Sequence, residues 1–468
     1  MSQVIEHPTI EARSADGKAE RARLPRADHA RWSPTQRTLQ PLDLLAEQAT
    51  TRVPELVPIR YGRMAASPFA YYRGAALPMA ADLSTGPHTG LEVQLCGDAH
   101  LSNFGGFASP ERDMLFDVND FDETSPGPFE WDLKRLGASL EIAARSRAFD
   151  AKTGRRWVLA AMRAYREAMH EFAGMSNLEV WYSKLDRAGV VQRWGSQVST
   201  KVLDEFQKTT TKATSKDQLK ARKKLTQIVD GELRFRSDPP LMVPVSELFN
   251  EEEAEQVQDA IHEALRSYRQ TLPGDRRRLL ESYEFVDLAR KVVGVGSVGT
   301  RAWVALLVGH DPEDTLILQV KEAEASVLER FVGKNEYQHH GQRVVEGQRL
   351  MQSASDIFLG WHRVSTSVDG RPHDYYFRQL WDWKLSADID TMVPEALDVY
   401  AKICGGTLAL AHARSGDRTA IAAYLGSGDA FDRAIADFAV SYADQNAVDH
   451  QALVDAIASG SVEATMGV

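Results

Sequence analysis

Hydrophobic and polar positions change period several times along the chain. Over residues 91–123 short apolar runs alternate with polar turns. GLEVQLCGDAHLSNFGGF predicts strand, loop, strand; ASPERD supplies a turn, and MLFDVNDFDE is the returning strand. WDLKRLGASLEIAARS and RRWVLAAMRAYREAMHEFA then place apolar residues three and four apart, which predicts two helices. Residues 201–224, rich in Lys and Thr, suit an exposed helix or connector, and NEEEAEQVQDAIHEALRSYRQTL predicts a further helix. KVVGVGSVGTRAWVALLVG and DTLILQVKEA follow as two strands of one antiparallel sheet. GQRVVEGQRLMQSAS predicts a helix, DYYFRQLWDW a strand, and helices dominate from residue 394. The expected organisation is a flexible N-terminal arm (residues 1–40) able to order against the body, a helical first part of a large lobe (41–284), a small β-rich lobe (285–385) and a helical second part (386–468).

Composition narrows the function classes. The 468 residues exceed one small core. No apolar run reaches the roughly eighteen residues of a transmembrane helix, and the polar N-terminus lacks a secretory signal's apolar stretch. Two cysteines, Cys96 and Cys404, do not make a disulfide framework, so a cytoplasmic location is expected. A net charge of -11 argues against general nucleic-acid binding, because the surface would repel the phosphate backbone.

The first chemical signal is acidic. Asp98 is followed five positions later by Asn103, and Asp120 and Asp122 lie on the next predicted strand. Phosphoryl transfer needs a carboxylate to orient the attacking hydroxyl and hard oxygen ligands for Mg²⁺. A D-x-x-x-x-N loop can point its carboxylate at the acceptor while the amide turns toward the metal. Asp120 and Asp122, two apart, would share a strand face. The plain alternative is an acidic turn beside a β-hairpin, with Asp117 and Asp122 capping turns. His100 and Trp131-Asp132-Leu133 complete an ordered set, in which His100 joins Asp98 as a catalytic candidate.

The second signal is Gly294, Gly296 and Gly299, a G-x-G-x-x-G run. A dinucleotide turn would require a following helix, but TRAWVALLVG favours a strand. Strand–glycine turn–strand suits a flap whose N–H groups approach phosphates, or a hairpin that merely uses glycines for positive φ. Lys321 ends the next apolar strand, where a buried ammonium needs a partner; Glu346 is the candidate, with Glu329 and Glu336 as substitutes. Lys321 also fits a strand-edge gatekeeper.

The segment CGDAHLSNFG…FDVNDFDETSPGPFEWDLKRLGASL resembles the catalytic segment of the aminoglycoside and choline phosphotransferase group, which is kinase-like in fold. The resemblance implies Asp98 as catalytic aspartate, Asn103 and Asp120 as metal ligands, and Asp132 as a helix-start residue bracing the loop. Cys96 stands where that group has His. Because the glycine run and Lys321 follow the acidic motifs, the implied fold is α+β: a two-lobed protein-kinase-like architecture, circularly permuted, with a small antiparallel β lobe inserted among helices of the larger lobe. LDVYAKICGGTLALAHARSGD resembles the helix that normally enters the catalytic loop. Over nearly its full length the chain also resembles the bacterial domain of unknown function 2252 family, through RVPELVPIRYGRMAASPFAYYRG, LCGDAHLSNFG, VNDFDET and AHARSGD.

Other residues keep two readings. Arg60, Arg63 and Arg73 suit phosphate or carboxylate recognition, or lobe-bracing ion pairs. His412, Arg414 and Asp417, at a helix end, suit a structural role or substrate contact. Lys216, Lys220, Arg222, Lys223 and Lys224 form a solvated face or an acidic-partner site. Trp381 and Trp383 suit hinge packing or adenine stacking. The leading expectation is an ATP- and Mg²⁺-dependent phosphotransferase acting on a hydroxyl of a small molecule or protein, with nucleotidyl transfer using similar parts. The alternatives are a non-catalytic nucleotide-binding regulator and a metal-dependent phosphoesterase using Asp98, His100, Asp120 and Asp122.

Overall fold

A computed structural model describes residues 7–214, 218–365, 367, 369–380 and 382–468. Lys216, Trp381 and the side chain of Lys220 lie outside the described residues. The fold is mixed α+β with small antiparallel sheets. Its strands are β1 (Glu92–Leu95), β2 (Phe104–Ala108), β3 (Met114–Val118), β4 (Ser125–Pro128), β5 (Thr226–Val229), β6 (Glu232–Phe235), β7 (Met242–Pro244), β8 (Glu284–Lys291), β9 (Ala302–Val308), β10 (Thr315–Ala323), β11 (Gly360–Val364), β12 (His373–Gln379) and β13 (Leu385–Ser386).

The largest sheet runs β11-β12-β10-β9-β8-β7, antiparallel throughout. Its central strands read as continuous apolar runs because both faces are covered. Ala305, Leu307, Leu316 and Leu318 pack against Val257, Ala264 and Tyr268 of the Glu251–Tyr268 helix. The alternate residues Val304, Leu306 and Ile317 face Ala221 and Leu225 of the Gln218–Leu225 helix and Phe235 of β6. The period-two pleat therefore assigns neighbouring residues to different layers. Residues 218–284 belong with this sheet through both coverings and the β7–β8 pairing, so the small lobe begins well before the boundary expected at 285. The expected boundary followed the first strong β run, whereas the covering helices precede it in sequence.

The helical lobe packs Glu130–Ser146, Ala151–Ala173, Pro394–Ser415 and Ala430–Ala458 around one core that includes Trp157, Phe129 and Phe438. The N-terminal arm is ordered against the body: it contains a helix, Ile10–Arg23, docked on the Arg418–Leu425 helix. The arm's charges explain the docking. Arg21 donates to the carbonyls of Ala423 and Tyr424, and Arg26 to that of Leu425, so two guanidinium groups cap the last turn of a neighbouring helix. Arg37 then joins the buried carboxylates of Asp82 and Asp449 at 2.6 and 2.7 Å. Among the described residues no helix is long and apolar enough to cross a membrane.

Candidate nucleotide and phosphoryl-transfer site

The loop from β1 to β2 holds Asp98, His100 and Asn103, and it is fixed by one face of the Glu130–Ser146 helix. Asp132, Arg135 and Ser139 recur at three- and four-residue spacing. Asp132 accepts the backbone N–H groups of Cys96 and Gly97 at 2.8 and 3.0 Å. Arg135 grips Asp98 Oδ1 with Nε at 2.8 Å and Nη2 at 2.6 Å, and Ser139 accepts the Leu101 N–H at 2.9 Å. His412 contacts Asp132 at 3.3 Å and is held from its other nitrogen by the Tyr165 hydroxyl at 3.0 Å, a bracing role. Gly97 has φ of +82°, and a Cβ there would lie 2.2 Å from the Glu123 carbonyl oxygen. Cys96 is buried, which pushes its thiol pKa well up and leaves it inert in this setting.

Within the loop, Asn103 donates Nδ2–H to the Asp98 carbonyl at 2.7 Å, leaving Oδ1 as its open acceptor. His100 accepts the Ser102 N–H at Nδ1, 3.2 Å away. Burial, with the charges of Arg73 and Arg135, keeps its pKa well below 6.5 and the ring neutral. The ring proton therefore sits on Nε2, which faces Asp98 Oδ2 from 3.6 Å, beyond hydrogen-bond distance.

Asp120 and Asp122 do not alternate along a strand: β3 ends at Val118, and residues 119–124 form a turn. Asp122 donates its N–H to Asp120 Oδ1 at 3.2 Å, an Asx-type closure. Lys321 and Tyr376 are direct cross-strand neighbours on β10 and β12, and together they clamp Asp122. Lys321 Nζ lies 2.5 Å from Oδ2 and the Tyr376 hydroxyl 2.6 Å from Oδ1. Lys321 Nζ also stands 3.9 Å from Asp120. Burial works against the Lys321 charge, yet Asp120 and Asp122 push its pKa upward. Burial and the Asp122 charge raise Asp120; Asp122, also opposed by burial, ends below its ordinary value because of Lys321 and Tyr376.

Glu346 is not the partner of Lys321. It pairs with Arg349 on its own helix, His340–Met351, at 3.0 Å, while Glu329 lies 3.7 Å from Arg343 and Glu336 is exposed. The turn's own carboxylates satisfy the lysine, so the helix contributes a cation instead. Buried Arg343 donates to the carbonyls of Thr124, Asp122 and Glu324 at 2.6, 2.8 and 2.7 Å, tying the acidic turn to the exit of β10.

The glycine run connects β8 to β9, a strand as composition required. Gly294 and Gly299 have φ of +67° and +93°, the left-handed region that side chains rarely adopt. Arg63 donates to the Gly294 carbonyl at 2.5 Å and Arg52 to that of Val298, holding the turn over the segment that carries Arg60 and Arg73. A cleft of about 130 Å³ results, lined by Asp98, His100, Asn103, Asp120, Asp122, Gly294, Gly296 and Ser297 together with Arg52, Arg60 and Arg73. Gly299, Lys321 and Glu346 do not line it, and Lys321 meets it only through Asp122. Asp117 lies apart, bound to Ser353 at 3.0 Å. Asp417 caps the Arg418–Leu425 helix, and Arg414 stacks 4.4 Å over the Trp181 ring. The Trp383 ring is covered by Arg112 at 4.3 Å. Lys223 and Lys224 are exposed on the outer side of their helix.

Sequence reasoning missed Arg135, Tyr376, Glu123 and Arg52. Arg135 was findable at three residues beyond Asp132, and Tyr376 as a polar tip inside a predicted core strand. Glu123, which accepts the Val327 N–H at 2.7 Å, carries no such signal.

Among described residues no three His, Cys, Asp or Glu side chains group as a metal site. The oxygens near the loop that could hold a cation are Asn103 Oδ1 and a carboxylate of the acidic turn. Asp120 fits: its carboxylate is about a third exposed and has one backbone donor besides the distant lysine. Asp122 fits less well, since both of its oxygens are engaged.

No curated protein and no solved structure matches the chain. The profile of a family described as an uncharacterized protein conserved in bacteria, DUF2252, matches residues 52–456. Both motif regions and the helices that brace them fall inside that span, and the chain belongs to the DUF2252 family.

Proposed function

We propose that this protein is an ATP- and Mg²⁺-dependent phosphotransferase with a circularly permuted kinase-like fold, acting on a hydroxyl acceptor. The observation that carries the proposal is the meeting of buried Lys321 with Asp122 across 199 residues, directly behind the cleft that Asp122 lines with Asp98, Asn103 and the glycine turn. Topology supports it. A strand, a glycine turn, a strand, a lysine-bearing strand, a helix and two more strands follow one another, and they lie in the sheet order β8-β9-β10-β12-β11. The Pro394–Ser415 helix, late in the chain, packs beside β1 and β3, and Tyr400 donates to the Leu101 carbonyl at 2.8 Å. That helix thus buttresses the loop it would directly precede in an unpermuted chain.

In this mechanism the glycine turn and Lys321 hold the donor phosphates. Asn103 Oδ1 and Asp120 would hold Mg²⁺, which supplies charge neutralisation when bound. Asp98, aimed by Arg135, accepts the proton of the acceptor hydroxyl. The acceptor oxygen forms its bond to the γ-phosphorus as the bond from that phosphorus to the bridging oxygen breaks, and ADP leaves. Coupled ADP release with a panel of hydroxyl acceptors tests this. Asp98→Asn should remove turnover by at least about a hundredfold while ATP affinity stays within about threefold. Hydrolysis of simple phosphate esters without any nucleotide would instead favour a phosphoesterase.

A further inference from the structure

Buried arginines in this protein are normally paired. Arg37 has Asp82 and Asp449, Arg166 has Asp432 at 2.9 Å, and Arg135 has Asp98. Around the cleft the pattern stops. Arg60 is 1% exposed; it donates from Nη2 to the Gly74 carbonyl and to Gln48 Oε1, each at 3.0 Å, and its Nε and Nη1 have no partner. Arg52 is 9% exposed, donates to the Val298 carbonyl and leaves Nε without a partner. Arg73 Nε is likewise buried without one. None of the three forms an ion pair among the described residues. The acidic residues on the same wall have other partners: Glu322 has Arg301 and His373, Glu123 the Val327 N–H, Glu324 Thr51 and Asp98 Arg135. Glu324 and Asp98 therefore act on Arg52 and Arg73 only from beyond ion-pair distance. Burial lowers the pKa of all three arginines, and the neighbouring Arg52 charge adds to the effect at Arg60. Grouped guanidinium charges with no carboxylate in ion-pair contact are costly, and a bound anion relieves that cost.

We infer that Arg52, Arg60 and Arg73 form a phosphate-binding site beside Asp98. The inference deepens the phosphotransferase reading and rests on it for the role of the bound group. Three guanidinium groups suit the charge and tetrahedral oxygens of a phosphate, through charge-assisted hydrogen bonds. The phosphate is either the terminal group of the donor nucleotide or one carried by the acceptor. In the second case the acceptor is an anionic, phosphorylated hydroxyl compound rather than a cationic amine.

Calorimetry on the full chain with Mg²⁺ separates these sources, using a non-hydrolysable ATP analogue, AMP and inorganic phosphate. The proteins compared are wild type, Arg73→Gln and Arg52→Gln, each first shown to unfold at the wild-type temperature; Arg73→Lys serves as the milder variant should Arg73→Gln not fold. A donor site predicts that both variants lose about tenfold or more in affinity for the analogue and keep AMP affinity. An acceptor site predicts analogue affinity within about twofold, and inorganic phosphate that binds the analogue-saturated wild type but binds the variants about tenfold more weakly. Folded variants that bind both analogue and phosphate like wild type overturn the inference. If the wild type binds phosphate but no nucleotide, and the variants lose phosphate, the arginine site stands while the nucleotide reading fails. Wild type that binds neither overturns both.

Discussion

Replacing Lys321 by Met tests whether the clamp on Asp122 joins the two lobes energetically. At an effective dielectric of about 20, a contact of 2.5 Å corresponds to about 7 kcal/mol of attraction and one of 3.9 Å to about 4 kcal/mol, before burial is charged against it. Lys321 is 2% exposed, so its desolvation removes several kcal/mol of that gain. Asp120 and Asp122 keep about a third of their side chains in contact with solvent, which weakens the attraction further. The expected net loss for Lys321→Met is about 2–4 kcal/mol, because two neighbouring carboxylates are left without their cation. Urea unfolding of wild type, Lys321→Met, Asp122→Asn and the double variant isolates the pair. The Lys321–Asp122 coupling should reach about 1–3 kcal/mol, and the double variant should be more stable than the sum of the singles implies. Additivity within about 0.5 kcal/mol would refute the clamp as an energetic link between sheet and acidic turn.

Several further outcomes follow from the same contacts. Asp132→Ala removes the acceptor of two loop N–H groups and the partner of His412, and should cost about 2–4 kcal/mol by chemical denaturation while lowering activity through the loop. Arg21→Ala with Arg26→Ala uncaps the Arg418–Leu425 helix and should cost about 1–3 kcal/mol, with faster amide exchange in that helix's last turn. Asp117 has a carboxyl pushed up to about 6 by burial, against the bonds from Ser353 and Val118. Its folded form therefore binds a proton that the unfolded chain, at about 3.9, has lost, so its contribution to stability falls as pH rises from about 4 to 6 and is level above that. Asp117→Asn should remove that slope, worth up to about 3 kcal/mol, from the pH dependence of urea unfolding; an unchanged slope would count against it.

Much of the small lobe was legible because its signals are local. The apolar runs around β9 and β10 marked two strands of one antiparallel sheet, and β-forming residues after Gly299 excluded a dinucleotide helix. The loop around Asp98 and the bracing of it by Asp132 were also legible, since a few spacings define them. Pairings across the fold were not. Lys321 announced its need for a carboxylate, but which carboxylate depends on how the 119–124 turn meets β10, and Glu346 was equally compatible with the spacing. The lobe boundary failed for a related reason: the helices of residues 218–268 carry ordinary amphipathic patterns that do not say which sheet they cover. The N-terminal arm looked solvated because its arginines are charged, and nothing local to them marks the helix end they cap. Arg52 and Arg60 needed the cleft itself to be seen as a group.

The central claim is that one cleft, backed by Lys321, binds a nucleotide between the glycine turn and the Asn103–Asp120 oxygens. Calorimetric titration of ATP with Mg²⁺ into wild type, Lys321→Ala and Asp120→Asn tests it most directly. Binding in the micromolar range is predicted, weakened about tenfold or more by either change, with the Asp120→Asn loss confined to titrations containing Mg²⁺. A folded wild type that takes no ATP, or variants that bind it as tightly as wild type, would contradict the account.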